Sequence, residues 1–571
     1  MSGVERRGST PRVTWCCWRR HPPPALLVVL GGLLLTPMAL AADGGTGDLV
    51  FAADAAFSDA KLQLLQRQDL RGLATVPVSA KELRRRQGLA PAASAEPSAT
   101  IHLQWHPYVA GWHGLSPDMS ENTLWFDAIP PMGTVVAALS DGDAFFGHLQ
   151  VDLNPIRYAF VDDGVYSPWR IDSYTNMEFP RESWLAMTTD HLTVVAGRLK
   201  SGIGHGVFGN LFLNGRAPWY DQVQATFHTD AFRMFWLVGT SATFLYPEEA
   251  AVQSYGATAP PRAGWDPLNN YDSARFDAPA KTFMYRRFEY APWPWLVVGL
   301  GEMGVVGGKL PDLSQLLPVV AWHNAYAPGS TNVMLGADVS VAPLPGVLVF
   351  GELVMDDMTT INEVAESKPT SLGWQLGAQW HTELGAGVSS GLAVEATHVD
   401  PWTYARWQPY LVLQQRQILP PGFRFIDVPL GYPWGGDLDQ VGVSWTLTGK
   451  RGLRVTAAVE EMWRGPIRLG ALTTNVLTDD AGEPVTDSFG QPVQVPLYYD
   501  LDTHAGAGAL AAVLASPREQ RTTASLRTEL PLLEHLTLLT TVFLSHAEHA
   551  DNVNGAVATR ILLHGGLLLS L

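Results

Sequence analysis

Residues 372–381 read "LGWQLGAQWH". Successive side chains of a strand point to opposite faces. In an extended chain Leu372, Trp374, Leu376, Ala378 and Trp380 therefore share one side, and Gly373, Gln375, Gly377, Gln379 and His381 the other. The same two-residue rhythm returns in 144–153, where Phe145, Leu149, Val151 and Leu153 oppose His148, Gln150 and Asp152. It returns again at 441–450, 453–461 and 561–571. A soluble antiparallel sheet shows the same alternation. Two features favour a lipid-facing wall instead. The polar face is built from Gly, Ser, Thr and Gln with few charges, and Trp and Tyr crowd the strand ends, as at a bilayer interface.

From about residue 101 onward the reading is an all-β transmembrane β-barrel, 101–571. The connections are unequal: "PLPG" at 343–346 is tight, while 246–281, 401–436 and 473–504 are long and rich in Pro, Gly, Asp and Asn. Short turns at one end and long loops at the other suit an outer-membrane barrel, and at roughly 25 residues per strand and connection the length gives about 18 antiparallel strands. Residues 42–100 differ. "SDAKLQLLQRQDLRGL" and "SAKELRRRQGL" have helical spacing, with Ser58 and Ser79 as expected N-caps and Gly72 and Gly88 as expected stops. "APAASAEPSAT" then reads as a linker, so 42–100 is expected to be a small helical N-terminal element.

Residues 1–41 read as a signal peptide: five arginines, an apolar run from Ala25 to Leu35, and Ala39-Leu40-Ala41 as a small-x-small cleavage site. Both cysteines, Cys16 and Cys17, fall inside it. Its removal leaves 33 basic and 54 acidic residues, net −21 against −17 for the full chain. An acidic chain with no cysteine has no disulfide framework and no Cys-ligated zinc. Nor has it the basic stripe a nucleic-acid partner requires. The expected partners are outer-membrane lipid, the machinery that assembles barrels there, and a ligand at the loops.

The motif survey points away from catalysis and cofactors. Gly204-x-Gly206-x-x-Gly209 has dinucleotide-fingerprint spacing, but Gly215 and Pro218 break the helix that would hold a pyrophosphate. His102 and His106 sit on a strand, too far apart to chelate, and no third ligand is near. The acidic pairs Asp162-Asp163, Asp356-Asp357 and Asp437/Asp439 lack the oxygen spacing of a calcium loop. Ser545 and His546 face opposite sides of a strand. No enzyme activity, metal or cofactor is expected.

Aromatic residues in the connections carry more chemistry. Sugars stack their C–H faces on such rings while Asp, Asn and Arg bind hydroxyls. Trp219, Tyr220, Trp402, Tyr404, Arg406, Trp434 and Asp437 are the candidate polysaccharide contacts; Trp265, Trp293, Trp295 and Tyr432 extend the set. The competing reading is an interface belt. Arg198, Arg286, Glu302, Glu352, Asp356 and Glu395 are the candidate lumen-lining charges, and they define the alternative function, a porin-like channel for small solutes.

Several blocks in order resemble the capsule-assembly Wzi family of outer-membrane barrels: 61–86 "KLQLLQRQDLRGLATVPVSAKELRRR", 197–223 "GRLKSGIGHGVFGNLFLNGRAPWYDQV", 285–308 "YRRFEYAPWPWLVVGLGEMGVVGG", 347–358 "VLVFGELVMDDM", 395–407 "EATHVDPWTYARW" and 427–445 "DVPLGYPWGGDLDQVGVSW". The resemblance implies a barrel of about 18 strands, a helical element on the periplasmic side, and a lectin-like, non-enzymatic role in holding capsular polysaccharide on the cell. An acidic capsule would then need Arg262, Arg275, Arg406 or divalent cations to bridge it to this acidic chain.

Overall fold

The alternating segments pair in sequence order until the wall closes on itself. The computed structural model describes residues 49–51, 55–89, 96–114, 129–155, 164–166, 175–217, 219–245, 280–318, 330–357, 371–406, 409–419, 424–467, 474–476, 494–496 and 515–571. The expected signal peptide, together with Asp162, Asp163, Arg262, Trp265 and Arg275, lies outside them. Eighteen antiparallel strands form the wall. β1 runs Ser98–Trp105 and, past a break at His106-Pro107, Tyr108–His113. β2 is Gly133–Ser140, β3 Phe145–Pro155, β4 Thr175–Thr188, β5 Leu192–Leu199, β6 Tyr220–His228 and β7 Phe232–Thr240. β8 is Lys281–Trp293, β9 Leu296–Gly307, β10 Thr331–Val341, β11 Val347–Asp357, β12 Ser371–Gly385 and β13 Val388–Val399. β14 is Leu438–Thr448, β15 Arg454–Arg464, β16 Glu519–Leu533, β17 Leu536–Glu548 and β18 Val557–Ser570. β18 meets both halves of β1, Leu569 opposite Trp105 and Ile561 opposite His113, and this seam closes the barrel.

The apolar stripe faces outward. On β12, Trp374, Leu376 and Trp380 are 40%, 59% and 54% exposed, whereas Gln375 and Gln379 between them are 0% and 2% exposed. Val441, Val443 and Trp445 on β14 repeat the pattern, with Ser444 buried. A stripe of large hydrophobes turned away from the interior around a closed wall is the transmembrane-barrel arrangement. Trp293 and Trp295 are exposed and stacked 5.2 Å apart beside the tight β8–β9 turn, so they belong to an interface girdle and not to a long connection. Placing Arg at Val443, mid-strand on the lipid face, should cost about 2–4 kcal/mol of folding free energy. Urea-titrated folding into phospholipid vesicles would show it.

The tight turns, such as 141–144, 229–231, 294–295 and 342–346, share one end, which outer-membrane barrels direct to the periplasm. A helical element sits inside that mouth. α1 spans Ala55–Gln66 and α2 Ala80–Arg86. Ser58 lies within α1 rather than capping it. The helix stops well before Gly72, where Gln68 takes the left-handed conformation at φ 54° and the Asp69 amide turns back to the Leu64 carbonyl. Ser79 does precede α2, and Gly88 ends it with φ 70°. Phe57, Leu64, Leu65, Leu70 and Leu83 pack on Ala291, Val297, Leu348 and Phe350 of the inner wall. The element reaches turn after turn: Gln68 Nε2 donates to the Ala342 carbonyl (2.7 Å), Gln66 Nε2 to the His381 carbonyl (3.1 Å) and Arg86 Nη2 to the Thr229 carbonyl (3.2 Å).

Candidate functional site

The lumen decides what such a barrel can do, and two connections from the loop end fold into it. The first, 200–217, is the glycine-rich stretch between β5 and β6. It runs inward until Gly202 and Ile203 pair with Thr75 and Val76 of the helical element. The Gly204 amide there donates to the Ala74 carbonyl (2.8 Å). It then doubles back, Ile203 bridging Leu213. The second connection, 400–437, packs beside it: the Asn214 amide donates to the Leu430 carbonyl (2.7 Å) and the Tyr404 hydroxyl to the Leu211 carbonyl (2.8 Å).

The barrel wall holds the backbone of the glycine loop from both polar sides. Glu352 on β11 accepts the amides of Leu211 (3.0 Å) and Phe212 (3.1 Å). Glu395 on β13 accepts those of Val207 (2.6 Å) and Phe208 (3.1 Å). Gln375 and Gln379 on β12 donate to the carbonyls of Gly209 (2.9 Å) and His205 (2.6 Å). A loop with little side chain leaves its own amides and carbonyls as the groups that must be satisfied once water is excluded. Gly209 lies against Pro433 of the second loop, where any side chain would collide. Phe212 fills a notch above Gly336 and meets the Tyr285 ring edge-on at 5.3 Å. Around these contacts Leu211, Phe212, Leu213, Tyr404, Leu430, Tyr432 and Trp434 pack on the inward side chains Phe235, Phe283, Tyr285, Met303, Met334 and Val354. The interior thus has an apolar core of its own.

The sequence-derived sugar contacts divide accordingly. Tyr220, Tyr404, Trp434 and Asp437 are 2%, 0%, 8% and 7% exposed, which removes them from any surface a polymer touches. Tyr220 meets Phe283 edge-on at 5.0 Å. Trp434 lies 5.2 Å from the Arg521 guanidinium. Asp437 accepts the Ile467 amide (3.0 Å), and burial raises its carboxyl above the ordinary value. Burial likewise drives the Tyr404 hydroxyl well above its usual range, so it stays a protonated donor. Arg406 is tied to Asp356 (3.1 Å). Trp402 is half-buried with φ 71°. Trp219 stands at the loop end with the Arg181 guanidinium 3.8 Å and the Lys200 ammonium 4.0 Å from its ring centre, and its indole N–H donates to Glu182 (3.0 Å).

The six lumen candidates divide as well. Glu352, Asp356 and Glu395 point inward, and each accepts hydrogen bonds from an in-folded loop, Asp356 taking the Tyr404 amide (2.7 Å). The other three do not line the interior. Arg198 shares the outward side of β5 with its cross-strand partner Asp221, to which it is paired at 2.8 and 2.9 Å. Arg286 and Glu302 lie on the same outward face as the exposed Tyr290 and Leu300, four and two residues away on their strands. They form an ion pair with each other on the outer wall. The segment after β9 covers that pair, the Pro318 carbonyl accepting from Arg286 and Leu316 packing near Met284 and Val306.

Gln375, Gln379, His205 and Lys61 were not singled out as site residues. The alternation had already put both glutamines on the polar face; the contacts they serve come from residues more than 160 positions away. Among the described residues no cluster of three or more His, Cys, Asp or Glu side chains is placed to hold a metal ion.

Comparison with known protein families and with curated sequences finds no match. Among solved structures the chain is similar to Wzi, a carbohydrate-binding β-barrel of the outer membrane involved in group 1 capsule assembly in Escherichia coli. The TM-score is 0.53 at 14% identity, over 92% of this chain and 99% of that one. It also overlaps OccD3 (OpdP) of Pseudomonas aeruginosa, with a TM-score of 0.36 at 11% identity, over 83% of this chain and 91% of that one. OpdO of the same organism gives a TM-score of 0.38 at 9% identity, over 83% and 97%. The last two overlap too loosely to carry an argument, and at 14% identity the likeness to Wzi is one of fold. Together with the closed wall and its lipid-facing stripe, that likeness places the chain among the outer-membrane β-barrels.

Proposed function

We propose that the protein is a non-enzymatic outer-membrane barrel that does not serve as a solute pore and whose loop end binds or anchors surface polysaccharide. The observation that carries this reading is the filled interior. A channel needs a continuous wet path lined by groups that bind and release solutes. Here two connections and a helical element occupy the bore, and the wall's carboxylates and amides are used in holding them. A barrel closed in this way offers its long loops as the working surface. The fold it shares with Wzi, itself a carbohydrate-binding barrel, supports the same reading.

At the loop end, Lys200 beside Trp219 supplies positive charge that an otherwise acidic chain needs in order to approach an acidic polymer, whereas Arg181 on the same ring is buried and paired with Asp152 (2.5 Å). The test is retention of acidic and neutral capsular polysaccharides on a column of the detergent-solubilised protein. Retention is expected, and Trp402→Ala and Lys200→Ala should each weaken it several-fold. In planar bilayers the same preparation should stay silent. Failure to retain any member of a broad panel, together with steady conductance, would replace this reading with the porin-like one.

A further inference from the structure

We propose that the cavity between α1, the glycine loop and the turn-end halves of β12 to β15 is a binding site for a small anionic carbohydrate, a sugar unit bearing a carboxylate or a phosphate. The cavity measures about 390 Å³. It lies at the end of the barrel opposite the long loops, so it stands apart from the polymer-binding reading.

Its lining is cationic. Lys61 comes from α1, Arg216 from the glycine loop and Arg454 from the start of β15, and no Asp or Glu is among the lining residues. Lys61 donates to Gln379 Oε1 (2.7 Å), and among the described residues no ion pair joins it to a carboxylate. An ammonium has three N–H donors, so this bond leaves capacity for a ligand. Burial lowers Lys61 to about 8, only partly offset by the charge of Glu395, whose oxygens are already taken by the Val207 and Phe208 amides. Arg216 is exposed to the cavity, with one N–H on the Val207 carbonyl (2.9 Å).

Two further groups point to an occupant. His205 and Asn214 line the cavity at 8% and 1% exposure, and His205 Nδ1 and Asn214 Nδ2 have no hydrogen-bond partner. Buried polar atoms are ordinarily paired, and each unpaired one calls for an explanation. Both residues line one cavity, beside Lys61 and Arg216. Burial, with the charges of Lys61 and Arg287, holds His205 well below its ordinary value, so it is a neutral ring that can accept as well as donate. A sugar acid answers this set. Its anionic group meets Lys61 and Arg216, and its hydroxyls, which both give and take hydrogen bonds, meet His205 and the side-chain amides. Much of the remaining wall is bare backbone at Gly202, Gly204, Gly206 and Gly391, where a ring can approach closely.

The experiment is calorimetric titration of the full barrel in detergent, at constant ionic strength, with glucuronate, glucose 6-phosphate, glucose and sodium sulfate. One of the two acidic sugars should bind at least tenfold more tightly than both glucose and sulfate, and which one does identifies the charged group. Lys61→Met and Arg216→Gln should each weaken that binding tenfold or more. Lys309→Met, remote from the cavity and paired with Asp312, should not. Folding of every variant is checked by its faster gel migration before boiling. Binding of glucose or sulfate as tight as that of the acidic sugars overturns the proposal, as does no binding at all, or full binding by folded Lys61→Met. Polysaccharide retention at the loop end should be unchanged in Lys61→Met, so the two readings fail separately.

Discussion

Replacing both Glu352 and Glu395 with Ala should turn a silent barrel into a conducting one. Each carboxylate accepts two consecutive amides of the glycine loop from a buried position on the wall. Leaving a buried amide without its acceptor costs about 1–3 kcal/mol, so losing either residue, which serves two amides, should cost about 2–6 kcal/mol of loop docking. A shift of about 3 kcal/mol changes the ratio of docked to released loop about a hundredfold. The double variant leaves four amides without partners in a dry interior. Single-channel recording should then show openings in E352A/E395A that are absent from the unmodified chain, with the single variants between them. Glu→Gln keeps one acceptor oxygen per side chain and should conduct less often than Glu→Ala. A double variant that folds, as judged by gel migration, yet remains silent would mean that the apolar packing of Leu211, Phe212, Tyr404 and Trp434 suffices to keep the bore shut.

The second large effect is expected at Glu82. This carboxylate, 3% exposed, receives Arg86 (2.9 Å) and both terminal nitrogens of Arg233 (2.8 and 3.0 Å), with His228 at 3.3 Å. It ties α2 to the inner wall at β7. Removing one member of a buried ionic cluster leaves the others uncompensated and typically costs about 3–5 kcal/mol. Glu82→Ala should therefore release the helical element while the barrel persists, read as trypsin cleavage after Arg84, Arg85 and Arg86 with unchanged heat-modifiable migration. The cluster also fixes a pH dependence. Burial alone would raise the Glu82 carboxyl, but Arg233, Arg86 and His228 together outweigh it and hold the folded value below the ordinary one. A depressed folded value means the stabilisation is present above the unfolded value and is lost as pH falls through the folded one. Docking should thus be steady from neutral pH to about 5 and fail only below the usual glutamate range near 4.3. Pepsin should cut the helical element readily near pH 2.5 but not near pH 4.5, and that contrast should vanish in Glu82→Ala.

Much of the wall was legible in the sequence because its cause is local. The stripe Trp374, Leu376, Trp380 needs only the pleat of one strand to be read, and lipid imposes it wherever it touches the wall. Charges on the wall were less legible. Arg286 and Glu302 look like pore residues until register shows them outward, shielded by a connection folded against the outside of the barrel. The site was hidden for a related reason. Tyr404 and Trp434 lie in a connection rich in Pro and Gly, and an aromatic there reads the same whether it greets a sugar or fills a core. What decides is where the connection goes, and that is set by contacts such as Glu352 with Leu211, 141 residues apart.

The helical element's hydrogen bonds bear on how the chain assembles. Lys81 reaches Asp143, Arg86 reaches Thr229, Gln68 reaches Ala342 and Gln66 reaches His381. No early hairpin presents that seat by itself. α1 and α2 must wait until strands made hundreds of residues later have come together. Their insertion is then a late, high-contact-order event, slow by nature and dependent on a nearly complete cylinder. The appearance of protease resistance in this segment would accordingly time the end of folding rather than its beginning.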